Sequence, residues 1–122
     1  EVIKTFLLEK TAGTIIFTGA SASLRGKSNF GAFNSAKGAL RNLAQALAKE
    51  YAENSIHVCH VIVDGGLAGE RIKQRLSDFE ERVKEGKLIN IESVTDAYMF
   101  LYNQNKDAWT FELDVRTSQE NW

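Results

Sequence analysis

The sequence has no proline, although average usage of about 5% would give roughly six in a chain of this length. With 43% hydrophobic and 25% charged residues, near the globular average, it is neither collagenous nor disordered. One cysteine, Cys59, excludes a disulfide framework; its place inside an apolar run suits a reducing compartment, so a cytoplasmic location is expected. Charge of one sign is not in excess either. Fifteen basic and sixteen acidic residues leave a formal charge of -1, too little to gather nucleic acid or to hold an anionic membrane. There is no run of about 18 apolar residues to cross a bilayer, and the first twenty residues lack the basic and then apolar layout of a secretory leader. The chain opens on Glu1 instead of methionine, from which a truncated start is expected.

What is present is an alternation of strand-like and helix-like segments with no repeat, low-complexity tract or linker, so residues 1–122 are read as a single α/β unit. Val2, Ile3, Phe6 and Leu7 suggest the end of a helix that stops at Gly13, where glycine takes a left-handed cap cheaply. Thr14 to Thr18 is an unbroken β-favouring run closed by Gly19, as expected of a strand buried on both faces. From about Asn29 to Glu53, apolar residues recur at steps of three and four, predicting one long helix. Ile56 to Val63 reads as a second buried strand, ended by Asp64-Gly65-Gly66. A strand, a helix and a strand in this order make a right-handed crossover and a parallel sheet. Ile72, Leu76, Phe79 and Val83 then predict an amphipathic helix from Glu70 to Glu85, ending at Gly86. Ser93 with Asp96 resembles a capping box before a further helix. Trp109, Phe111, Leu113 and Val115 alternate with polar residues, predicting an edge strand with one wet face.

Several features point to chemistry and fall short of it. Gly26-Lys27-Ser28 suggests a phosphate-binding loop, but the position that should hold its first glycine is Ser21, and Gly19 is two residues too far away. His57 and His60, three apart on a strand, face opposite sides and have no partner at metal spacing, so no metal is expected. Cys59, mid-strand and without a CxxC partner, reads as core filler. Arg25, Lys27 and Arg41 are too scattered for a basic patch.

The run Thr18-Gly-Ala-Ser-Ala-Ser-Leu-Arg-Gly-Lys-Ser-Asn-Phe-Gly-Ala-Phe-Asn-Ser-Ala-Lys-Gly-Ala-Leu40 resembles the active-site half of the short-chain dehydrogenase/reductase family. There, a serine after a sheet strand precedes a Tyr-x-x-x-Lys motif at the start of a long helix, and a later strand ends in an Asn-Pro-Gly turn beside the nicotinamide. The resemblance covers essentially all of this chain but only the second half of the family's domain. It implies a Rossmann-like parallel sheet of three strands with flanking helices, the C-terminal half of a doubly wound domain. It puts Lys37 in the lysine place, Phe33 in the tyrosine place and Asp64-Gly65-Gly66 in the turn, with Leu67 and Ala68 next to the nicotinamide. The helix after the turn becomes a mobile flap over a small-molecule substrate, and NAD or NADP becomes the cofactor.

Two departures from the family stand out. A tyrosine four residues before a lysine shares a helical face with it, so the ammonium can lower the phenol's pKa and let it pass a proton; Phe33 has no proton to give. The family's usual serine spacing lands on Ala20, with Ser21 one step beyond and Ser23 three. The catalytic set carried over is therefore Lys37, Phe33, Ser21 and Ser23, and the cofactor set Lys37, Asp64, Gly65, Gly66, Leu67 and Ala68. The second departure is that the family's glycine-rich pyrophosphate loop has no counterpart in these residues, so this portion alone is expected to be inactive. The expected function is hydride transfer to or from a carbonyl or alcohol with an atypical site, the alternative a non-catalytic binding or oligomerisation module. Family helix pairing, with the alanines of the long helix, implies a homodimer or larger homo-oligomer.

Overall fold

The computed structural model describes residues 1–121. Three parallel strands form one sheet in the order β1 (Gly13–Ala20), β2 (Ile56–Asp64), β3 (Glu112–Arg116). Helix α2 (Gly31–Tyr51) makes the crossover from β1 to β2. Helix α1 (Val2–Glu9) precedes the sheet, while α3 (Glu70–Lys73), α4 (Phe79–Lys84) and α5 (Ile91–Tyr102) lie between β2 and β3. This is the three-stranded Rossmann-like arrangement expected. Among the described residues, no helix is long and apolar enough to cross a membrane.

Every residue of β2 except Val63 is buried, because it alone has a strand on each side. Its alternation sorts two layers. Cys59 and Val61 pack with Leu101 of α5, joined by Ile16, Val63, Tyr98, Leu113 and Val115. His60 faces the other way, toward the α2 layer, as its contacts below show. Burying Leu101 fully contributes about 1.5–3 kcal/mol on its own.

Several expectations are corrected. Among the described residues β1 is half-buried, with β2 as its one neighbour. Helix α1 stops four residues before Gly13: Lys10 takes the left-handed cap at φ 52, and Thr11 N–H donates to the Phe6 carbonyl. Gly13 instead starts β1 because the Phe6 ring lies against it, 2.4 Å from where a Cβ would stand. The single helix predicted over Glu70 to Glu85 is two short ones, so no continuous flap helix forms. Its stripe is too narrow, with Val83 42% exposed, and Ser77 and Asp78 offer the backbone competing partners; Asp78 instead accepts from Arg82 Nε at 2.8 Å. Helix α5 is capped by Asn90, whose side chain accepts from Ser93 N–H at 2.9 Å, so Ser93 is the capped donor and not the cap. β3 begins at Glu112 because Thr110 is drawn off by Gln104, which accepts from its N–H at 2.9 Å and donates to its hydroxyl at 2.8 Å.

Candidate active site

β1 ends at Ala20 and the chain turns at once through a single 3-10 turn, Ser21–Ser23. The turn, the loop after it and the first turn of α2 enclose a cleft of about 390 Å³ at the carboxyl end of the sheet, lined by Ser21, Arg25, Lys27, Phe33, Asn34 and Asp64 among others. In parallel α/β sheets this end is where crossovers leave room for a ligand.

Phe33 and Lys37 are one helical turn apart on α2, with the Phe33 ring 48% exposed and the ammonium 5.9 Å from the ring centroid. Lys37 Nζ donates to the Thr18 carbonyl at 2.9 Å, so the amine sits over the carboxyl-terminal part of β1. Among the described residues that is its one hydrogen bond, leaving two N–H groups unspent. Beside it, Asn34 Nδ2 donates to the Arg25 carbonyl at 2.6 Å, which ties the loop to α2 and leaves Asn34 Oδ1 buried without a partner among the described residues.

The Asp64 side chain, 3% exposed, is held by arginine. Both of its oxygens accept from Arg25 Nη2, at 3.0 and 3.2 Å, and Arg116 Nη2 lies 3.8 Å away. It latches the loop after β1 to the end of β2. The turn that follows presents backbone: Gly65 has φ +148, the Ile89 N–H donates to the Gly66 carbonyl at 2.8 Å, and the Ala68 N–H donates to the Ile89 carbonyl at 2.8 Å. Leu67 pairs with Ile89 in an isolated parallel bridge, which pins the segment beside the start of α5.

Beneath the cleft runs a polar chain, buried at His60 and Ser23 and partly exposed at Arg41 and Glu112. Arg41, one turn beyond Lys37 on α2, donates from Nε and Nη2 to the two Glu112 oxygens at 2.6 and 2.9 Å. Glu112 Oε2 lies 3.0 Å from His60 Nδ1, and His60 Nε2 lies 3.3 Å from Ser23 Oγ. Ser23 Oγ also accepts from the Ala20 N–H at 3.2 Å. His60 is fully buried and Ser23 only 9% exposed. The Arg41 guanidinium holds the Glu112 carboxyl below its ordinary value, and the carboxylate in turn raises Arg41. Of the residues carried over by resemblance, Ser21 and Phe33 therefore line the cleft, Lys37 sits one turn farther along α2, Asp64 forms its floor latch, and Ser23 is turned inward. Sequence reasoning missed the roles of His60, Glu112 and Arg41; the signal lay in the register that sets His60 opposite Glu112, which no linear spacing reveals. His57 stacks on Trp109, 4.8 Å between centroids at 3°. Burial pushes the Cys59 thiol up to about 11, an inert core position.

A parallel sheet of three strands with a helical crossover and flanking helices defines a Rossmann-like α/β class. Within that class, the short chain dehydrogenase family model matches residues 1–78, and the chain belongs to that family. A short-chain dehydrogenase from Rhodopseudomonas palustris is 38% identical over 92% of this chain and 42% of its own length, with a TM-score of 0.65. The closed form of serine dehydrogenase complexed with NADP+ superposes at a TM-score of 0.77 over 99% of this chain and 50% of its own, at 14% identity. An NADPH-bound short chain oxidoreductase from Pseudomonas aeruginosa PAO1 containing an atypical catalytic center gives 0.76 over 98% and 52%, at 18% identity. The chain thus spans about half the length of these structures. No curated protein is similar enough to match the chain.

Proposed function

We propose that these residues are the C-terminal portion of an NAD(P)-dependent oxidoreductase that moves a hydride to or from a small carbonyl or alcohol substrate. The observation that carries this reading is the Lys37 ammonium: it lies over the end of β1, one turn from the exposed Phe33 ring, with two N–H donors left for a ligand. That donor set fits the hydroxyls of a nicotinamide ribose. The pyrophosphate end is different, since no glycine-rich loop occurs in the sequence, and this portion alone is proposed to be inactive. The backbone of Gly65, Gly66, Leu67 and Ala68, and not the latched Asp64 carboxylate, forms the wall beside the nicotinamide.

When bound, the nicotinamide supplies or accepts the hydride. Lys37 orients the ribose and places a positive charge near the reacting oxygen, where developing negative charge is stabilised. Phe33 occupies the phenol's place and keeps that side of the cleft apolar without contributing a proton. Ser21, which lines the cleft, is the hydroxyl assigned to the proton at the substrate oxygen, while the inward Ser23 supports it. The protein is further proposed to be cytoplasmic and homo-oligomeric, with no nucleic-acid or membrane partner; a free buried cysteine and a near-zero net charge support this.

The test is turnover by the full-length protein. Reduction of a carbonyl by NADH or NADPH is expected, and Phe33→Tyr should raise kcat by about two to four orders of magnitude, the usual contribution of a positioned acid. No change on that substitution would remove the assignment of position 33. The absent phenol favours a second reading, a non-catalytic member retained for binding; cofactor binding without any hydride transfer would establish it.

A further inference from the structure

We propose that His60 is a positioning residue of this cleft: clamped by Glu112 and Arg41, it holds Ser23 and so fixes the turn that presents Ser21. The proposal rests on the reading above that the cleft carries the reaction.

Hydrogen-bond chemistry assigns the protons. A carboxylate only accepts, so the His60 ring proton lies on Nδ1 and is donated to Glu112. In the neutral ring Nε2 is then an acceptor, and the Ser23 hydroxyl donates to it. The Ser23 oxygen keeps a lone pair for the Ala20 N–H. Both ring nitrogens of His60 and the Ser23 hydroxyl are thus satisfied in a site closed to water, with the ring oriented by a carboxylate that is itself gripped by a guanidinium fork. Serine, imidazole and carboxylate linked in this order form a rigid line running from β3 through β2 to the turn after β1.

Three observations argue that this line serves the turn. First, His60, at a position where an apolar residue would be cheaper to bury, interrupts the apolar run Ile56, Val58 and Ile62 on a face of β2 that ends at Asp64. Second, the neighbouring strand gives up a side chain for it: a Cβ at Gly19 would stand 2.1 Å from His60 Nε2 and 2.7 Å from Ser23 Oγ. Third, Ser23 carries the side-chain hydrogen bond that ties the turn itself to the central strand; its other ties are the Leu24 and Arg25 N–H groups donating to the Ser21 carbonyl at 3.0 and 3.1 Å, packing against α2, and the Arg25 latch on Asp64 just beyond it.

The experiment uses the full-length protein and two measurements. Amide exchange over residues 20–23 reads the turn: in Ser23→Ala and His60→Leu it should quicken at least about tenfold, while exchange in β2 stays slow. Turnover reads its consequence, since a displacement of about 1 Å costs about 100-fold in rate. Ser23→Ala should therefore lower kcat about 100-fold with little change in KM for the cofactor, and Ser23→Thr, which keeps the hydroxyl, should restore most of it. In a Ser21→Ala background, Ser23→Ala should add almost nothing, because it acts through the group already removed. Unchanged exchange in the turn overturns the proposal, as does an undiminished loss in the Ser21→Ala background. If His60→Leu fails to fold, Ser23→Ala carries both measurements. If the unsubstituted protein transfers no hydride, the oxidoreductase reading fails while exchange still decides what holds the turn.

Discussion

At the scale of single residues, the tightest constraint lies where β1 meets the buried imidazole. Gly19 is needed there for space, because any side chain would enter the His60 ring. Gly19→Ala should cost about 1–3 kcal/mol, as overfilled cores do, and lower the melting temperature in a thermal scan; an unchanged melt would place the ring elsewhere. Glu112 gives a second expectation. Its carboxyl is held below the ordinary value of 4.5 by Arg41, so the folded state favours the ionised form. The stability this supplies is fully present above that ordinary value and is lost as pH falls through the lowered one. Comparing urea midpoints at neutral and acid pH, the unsubstituted protein should lose more on acidification than Glu112→Gln. Part of the site was legible from the sequence, since the family resemblance singled out Phe33 and Lys37 and helical spacing puts them on one face. The partnership of His60 with Glu112 and Arg41 was not, because those three residues are brought together by strand register and helix docking.

At the scale of elements, the chain ends its helices and strands without proline, and each end uses a local device. Lys10 accepts a left-handed conformation, Asn90 caps α5, and Asp78 is drawn to Arg82 where a longer helix would have passed. The Asn90 cap is the most separable of these: Asn90→Ala should cost about 1 kcal/mol in chemical denaturation, and Asn90→Asp should restore it. The elements that periodicity misjudged are those with little to pack against. A stripe of four apolar residues predicts a helix over Glu70 to Glu85, yet marginal helices need burial to persist, and the two short helices there contain no buried residue. The long helix and the central strand, which gain most from packing, form where the pattern put them.

For the whole molecule, α2 is rich in alanine and leaves Leu43 half exposed. Exposed apolar surface is ordinarily covered by a neighbour. Light scattering on the full-length protein should return a homodimer or larger, and a monomer at micromolar concentration would refute the proposed assembly.

The parallel crossover, the long helix and the Phe33-Lys37 pair were determined by the sequence itself, because burial periodicity and helical geometry act over a few neighbouring residues. The latch of Arg25 on Asp64 and the line from Arg41 to Ser23 were decided only by the tertiary structure. Their partners stand 37 to 71 residues apart, and only a settled sheet register brings such groups within hydrogen-bond reach.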